Sequence, residues 1–300
     1  MLKNNVMFTG VMSALVSPID EQERVLEDSM RRLMRWNLEE GLTGFYLTGG
    51  TGEGPALQKE TRKRIMEIAK DEVGGRAKLI AHVGSVDLRT AAELAEYAGT
   101  VGLDAISSVP PFFFHYGEKE ITEYYRALSD ASGLPVLMYA SPLSGVNITW
   151  DMVDRLMDVP NMIGLKWTSY DYFTMHRIKE LRGGNINVIN GPDECLLCGL
   201  TMGADGGIGA TYNIMPGLFA QIYECFRAGK LEEARAAQFK ANRLIAILLK
   251  FDVVAGVKEI LSMLGYDCGH TVYPSKRFSE EERAALRREL DGIRFFEEYV

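Results

Sequence analysis

Short apolar runs alternate with longer amphipathic segments along most of this chain. The apolar runs fall at 11–18, 44–48, 78–84, 104–109, 135–139, 161–168, 186–190 and 204–209, each the length of a strand. Helical spacing of apolar residues marks 21–40, 59–72, 89–99, 118–131, 149–157, 171–181 and a further stretch that holds Cys195. In the segment 21–40 the stripe is Val25, Met30, Leu33, Met34 and Trp36. Strict strand–helix alternation implies a parallel sheet, because parallel neighbours need a crossover helix. Eight such units without a central break predict an α/β fold, a closed (β/α)8 TIM barrel over residues 1–228. The remainder, 229–300, is helical and charged, with helices expected at 231–250, 254–264 and 279–299. Ser279 with Glu282 has the form of a capping box. This C-terminal region is expected to be a helical extension packed on the barrel.

One strand is unusual. Asn161-Met-Ile-Gly-Leu-Lys166-Trp-Thr168-Ser169 follows Pro160 and carries a lysine near its end. Alternation puts Met162, Gly164, Lys166 and Thr168 on one face, and Ile163, Leu165 and Trp167 on the other. Lysine is seldom buried unless it is paired or chemically employed. From the strand alone, a lysine reaching out to water is the simpler expectation. The barrel changes this, because chemistry in such folds gathers at the C-terminal ends of the strands. Those ends hold Ser17, Thr48 through Glu53, His82, Phe112 and Phe113, Tyr139, Lys166 with Thr168, Asn190 through Glu194, and Gly209 through Tyr212. A lysine, a tyrosine, threonines and carboxylates therefore converge on one mouth.

Composition narrows the partners. The 300 residues are 47% hydrophobic and 25% charged, ordinary for a globular protein, and the formal net charge of -8 disfavours nucleic acid or an anionic membrane. No run approaches the ~20 apolar residues of a membrane span. The N-terminus lacks the apolar core of a signal peptide, so a cytoplasmic protein is expected. Four cysteines are too few for a disulfide framework, and Cys195-Leu-Leu-Cys198 has zinc-ligand spacing without a second pair to complete a site. Reduced core cysteines and no metal are expected.

A lysine amine attacks a carbonyl only when unprotonated, a form that apolar or cationic surroundings favour. The imine it makes is an electron sink, so an adjacent carbon–carbon bond can break or form. Tyr139, ending the neighbouring strand, stands where a proton must move. Lys258 also has apolar neighbours but lies beside Glu259 on a helix outside the barrel, and is expected to be structural. The turn Leu47-Thr-Gly-Gly-Thr-Gly-Glu-Gly54 offers backbone N–H groups to an anion. It is no nucleotide motif, since no lysine follows the glycines and the GxGxxG spacing is absent. A small carboxylate fits it better than a phosphate.

Four segments together resemble the N-acetylneuraminate lyase branch of the superfamily that also contains dihydrodipicolinate synthase. They are Gly49-Gly-Thr-Gly-Glu53, Ile80-Ala-His-Val-Gly84, Gly164-Leu-Lys-Trp-Thr-Ser169 and Gly203-Ala-Asp-Gly-Gly-Ile-Gly-Ala-Thr-Tyr-Asn-Ile-Met215. The resemblance implies that Lys166 forms a Schiff base with the keto group of a sialic acid, or with pyruvate in reverse, and that Tyr139 relays the proton. It implies that Gly49, Gly50 and Thr51 hold the pyruvate carboxylate. Thr168, Gly191, Asp193, Glu194 and the position of Ala210 would face the sugar. For Asp193 and Glu194 the alternative is a pair of carboxylates stabilising a helix N-terminus. No cofactor beyond the lysine imine is implied, and relatives suggest a homotetramer with an interface near Phe112–Phe114.

Three positions depart from the pattern. Gly50 stands where a hydroxyl residue is usual, Phe113 where many relatives have a tyrosine reaching a neighbouring subunit's site, and Ala210 where many lyases have a serine. Another aldolase acting on a 2-keto-3-deoxy sugar acid stays open, as does a non-catalytic sugar-acid sensor. Dihydrodipicolinate synthase is disfavoured, because Tyr139-Ala-Ser-Pro-Leu-Ser-Gly-Val146 lacks the arginine those enzymes place after the tyrosine.

Overall fold

The computed structural model describes residues 4–300, the side chain of Leu143 excepted; Met1, Leu2 and Lys3 of the N-terminal segment lie outside the described residues. Strands β1 (Gly10–Ala14), β2 (Gly44–Leu47), β3 (Lys78–His82), β4 (Ala105–Ser108), β5 (Val136–Ala140), β6 (Met162–Trp167), β7 (Asn187–Asn190) and β8 (Gly206–Gly209) form one closed parallel barrel in chain order. Crossovers are made by α1 (Glu27–Glu39), α2 (Lys59–Val73), α3 (Leu88–Val101), α4 (Glu118–Ser132), α5 (Trp150–Leu156), α6 (Tyr172–Lys179) and α7 (Leu196–Thr201). After β8 come α8 (Pro216–Arg227), α9 (Leu231–Leu248), α10 (Val253–Met263), α11 (Glu280–Gly292) and α12 (Phe295–Glu298). The (β/α)8 barrel and its helical extension are as the alternation predicts.

Two apolar clusters divide the interior. Met12, Tyr46, Ile80, Leu137, Ile163, Ile189 and Ile208 fill the lumen. A second, larger cluster lies between strands and helices, and it runs without a break into Leu244, Leu248, Val257, Leu261, Leu286 and Leu290 of the extension. Helix starts follow local chemistry. Asp87, Asp171 and Asp252 accept from backbone N–H groups three residues on, and Ser279 and Glu282 complete the capping box.

Three local expectations are corrected. Helix α1 begins at Glu27 rather than at residue 21, because the Asp20 carboxylate accepts from the N–H groups of Gln22 and Arg24 and curls the chain into a turn. The last predicted helix breaks after Gly292, where Arg294 adopts a left-handed φ of 54°. The third correction concerns β6. Met162 belongs to the outer cluster and Ile163 to the lumen, the reverse of simple alternation. A bulge is responsible, for the register to β5 passes from Val136–Met162 to Leu137–Gly164 and so skips Ile163. Beyond it Leu165 and Trp167 face outward, and Lys166 lies in register with Tyr139.

Gly164 permits the bulge. Its φ is 154°, and a Cβ there would lie 1.9 Å from the carbonyl oxygen of Asn187. Gly164→Ala is therefore expected to destabilise the fold by about 3 kcal/mol or more. Urea unfolding measures this loss, and any activity that survives should fall further than the folded fraction, because Lys166 loses its aim.

Candidate active site at the barrel mouth

Lys166 and Tyr139 are both buried, 6% and 8% exposed, at the C-terminal end of the lumen. The Lys166 Nζ lies 4.4 Å from the centroid of the Tyr139 ring and 5.0 Å from that of Tyr46. Tyr46 is fully buried, meets Tyr139 edge-on at 6.0 Å, and donates its hydroxyl proton to Ser107 Oγ at 2.9 Å. His82 completes the wall, with its ring 6.0 Å from that of Tyr139. Tyr46 was not among the residues singled out from sequence, although it sits two positions before Thr48 and so on the inward face of β2.

The electrostatics follow from these contacts. The charge of Lys166 pulls the Tyr139 phenol below its ordinary pKa, against the opposing effect of burial. Burial, with the nearby Arg62 guanidinium, pushes His82 down to about 3, so its ring is neutral. Val109 N–H donates to His82 Nε2 at 3.4 Å, which assigns the proton to Nδ1. Arg62 lies behind the wall and donates to the carbonyls of His82 at 2.8 Å and Gly84 at 3.0 Å. Nothing in the sequence marks Arg62, since a lone arginine in a charged helix carries no sign of where it points.

The glycine-rich turn follows β2. Thr48 and Glu53 both have left-handed backbones, with φ of 51° and 54°. Gly49 is required there, because a Cβ would lie 2.5 Å from the Tyr46 ring. Thr51 is half-buried. Gly50 is exposed, and a Cβ at that position would meet nothing within 4 Å. Ser17 holds the turn from below by donating to the Gly52 carbonyl at 2.6 Å.

On the opposite side Thr168 and Gly191 come together, since a Cβ on Gly191 would lie 2.0 Å from Thr168 Oγ1. A cleft of about 240 Å³ opens beside them, lined in part by Ala140, Ser141, Asn147 and Thr168. Asp193 is buried, and its Oδ2 accepts from the N–H of Thr211 at 2.7 Å and from Thr211 Oγ1 at 2.6 Å, next to half-buried Ala210. Glu194 is half-buried and accepts a hydrogen bond from the Tyr170 hydroxyl. From α9, Gln238 donates to the Asp193 carbonyl at 3.1 Å and Asn242 to the Glu194 carbonyl at 3.0 Å. These partners come from 45 and 48 residues away, beyond the reach of any local pattern.

Other mouth residues point elsewhere. Asn190 is turned into the wall, with Nδ2 donating to the Pro192 carbonyl and Oδ1 accepting from Tyr172. Tyr212 stacks on Phe219 at 3.8 Å in the helical layer. Phe112 packs against the lumen cluster, whereas Phe113 is 83% exposed. All four cysteines are free thiols. A core position holds for Cys268 alone, because the short α7 turns Cys198 outward and leaves Cys195 half-buried, as is Cys225.

Burial raises the Asp193 carboxyl from 3.8 to about 6, only partly opposed by Thr211. The folded protein therefore keeps this proton where the unfolded chain has lost it. This component of stability is full near pH 4, falls as pH rises toward 6, and is lost above it. The span is about 3 kcal/mol. Asp193→Asn is expected to flatten that part of the profile in urea unfolding between pH 4 and 7.

Known proteins resemble this chain over nearly its whole length. Residues 7–293 match the dihydrodipicolinate synthetase family. An N-acetylneuraminate lyase of Rhizobium meliloti (strain 1021) is 36% identical over 284 residues, covering 95% of each chain. The fold is shared with CdNal from Clostridium difficile, solved in complex with mannosamine, at a TM-score of 0.91 and 33% identity over 95% of this chain and 99% of that one. A catalytic lysine mutant of the Ruminococcus gnavus sialic acid aldolase superposes with a TM-score of 0.92 at 29% identity, over 98% of both chains. With a lysine and a tyrosine facing each other at the mouth of an eight-stranded barrel, and a match that runs nearly end to end, this chain belongs to the dihydrodipicolinate synthetase family.

Proposed function

We propose that this protein is a class I aldolase, a carbon–carbon lyase that cleaves N-acetylneuraminate to N-acetylmannosamine and pyruvate. The observation that carries this function is the buried Lys166 amine set 4.4 Å over the Tyr139 ring at the mouth of the barrel. The amine adds to the keto carbon of the open-chain sugar acid, and loss of water gives the imine. Tyr139 takes the proton from the hydroxyl on the carbon beyond the bond to be cut. That carbon becomes the aldehyde of the leaving sugar as the bonding pair moves into the imine to give an enamine. Protonation of the enamine and attack of water release pyruvate and restore the lysine.

The carboxylate of the substrate is assigned to Thr51 and the amides near Gly49 and Gly50. Thr168, Gly191 and Glu194 face the polyol end, with Asp193 bracing the loop through Thr211. The imine itself is the electron sink, so this chemistry calls for no further cofactor. Glu194 is one carboxylate oxygen short of free, since Tyr170 engages it. The same assignment carries a homotetramer in the cytoplasm. The exposed, edge-on pair Phe113 and Phe114, with ring centroids 5.0 Å apart, supports an interface on that face.

Borohydride reduction in the presence of pyruvate, followed by peptide mapping, is expected to place the adduct on Lys166; an adduct on another lysine rules the mechanism out. The purified protein is expected to release N-acetylmannosamine from N-acetylneuraminate. Cleavage of some other 2-keto-3-deoxy acid alone would keep the class and change the substrate. Tyr139→Phe is expected to retain the adduct while turnover drops by about 10²-fold or more. Gly50→Ser has room for its side chain, and is expected to fold normally and to lower the half-saturating pyruvate about two- to tenfold, by one added hydrogen bond.

A further inference from the structure

The turn that holds the carboxylate end is itself held from outside the barrel. Lys258 of α10 has a side chain 3% exposed, and its Nζ lies 2.7 Å from Glu53 Oε1. The same ammonium donates to the His270 carbonyl at 2.7 Å, while Glu53 Oε2 accepts from the Val272 N–H at 2.7 Å. Its sequence neighbour Glu259 plays no part, being paired with Arg283. The segment that follows α10 is seated tightly. Ile19 N–H donates to the Cys268 carbonyl, and a Cβ on Gly269 would lie 1.7 Å from the Ile19 carbonyl oxygen.

Glu53 also decides the shape of the turn. A left-handed backbone at a residue other than glycine persists only where its surroundings over-determine it. From that conformation Glu53 N–H donates to the Gly50 carbonyl and Gly54 N–H to the Gly49 carbonyl, both at 3.0 Å. With those carbonyls turned back, the N–H groups of Gly50 and Thr51 have no protein acceptor among the described residues. They are free to receive an anion. An ion pair buried this deeply adds little net stability over an apolar pair of the same volume, so its geometry is the better reason for its presence.

We propose that Lys258 and Glu53 are positioning residues for the carboxylate half of the site. Their ion pair holds the 49–54 turn so that Gly50 and Thr51 present N–H groups to the carboxylate of a 2-keto acid. The proposal rests on the assignment of Lys166 as the imine-forming lysine. It differs from a purely structural role in acting on one substrate and not on the other.

The test is borohydride trapping on Lys166 across a range of pyruvate concentrations, with thermal unfolding of each variant in parallel. In Lys258→Met and Glu53→Gln the half-saturating pyruvate is expected to rise about tenfold, the scale on which small misplacements act. Lys258→Arg should restore most of it. The KM for N-acetylmannosamine in the condensation direction, at saturating pyruvate, should move by less than about twofold. Glu53→Gln keeps the shape and an acceptor for Val272, so it supplies a folded variant even where Lys258→Met fails to fold. Unaltered half-saturation in Glu53→Gln, or an equal rise for both substrates, overturns the proposal alone. Absence of any adduct in the wild type overturns the imine assignment and this proposal with it.

Discussion

An amine moved into the lumen of a barrel loses the water that solvated it, and something in the lumen must replace that water. Here two tyrosine faces do so, at 4.4 and 5.0 Å from Lys166 Nζ. A ring face is worth up to about 2 kcal/mol to a desolvated cation. The same proximity draws the Tyr139 phenol down in pKa, so the group that solvates the amine is also made more acidic by it. Burial and Arg62 keep His82 neutral, which spares the lysine a second positive charge across the lumen. Arg62 spends its own donors on backbone carbonyls behind the wall.

This arrangement depends on which way Lys166 points, and hence on the bulge at Ile163 and Gly164. The strand is easy to find in the sequence. Its parity is not, because a bulge leaves the apolar run intact while exchanging the faces of Met162 and Ile163. Lys166 keeps its expected inward face only because it is counted from the mouth end of the strand. The barrel was legible from alternation alone, and Lys166 with Tyr139 followed from strand-end position. What stayed hidden was tertiary. Tyr46 could have been found by counting two residues back from Thr48, but nothing local marks Arg62, Gln238 or Asn242. Lys258 reads as structural from its neighbours, but nothing local names its partner, which lies more than two hundred residues earlier.

The extension grips both ends of the mouth. Gln238 and Asn242 hold the carbonyls of the 193–194 loop, and Lys258 with Val272 holds Glu53. These contacts reach a barrel whose eight strands are complete by Gly209, and they add no strand to it.

That order has a consequence during synthesis. Chains grow from the N-terminus at about 5–20 residues per second, and their folding begins before they are complete. All eight strands, with Lys166 and Tyr139 among them, are synthesised before residues 238–272 exist to fasten the turn and the loop. A nascent or clipped chain ending after β8 thus carries Lys166 and Tyr139 but neither grip. The last quarter of the protein supplies, last of all, the contacts that fasten both loops of the mouth.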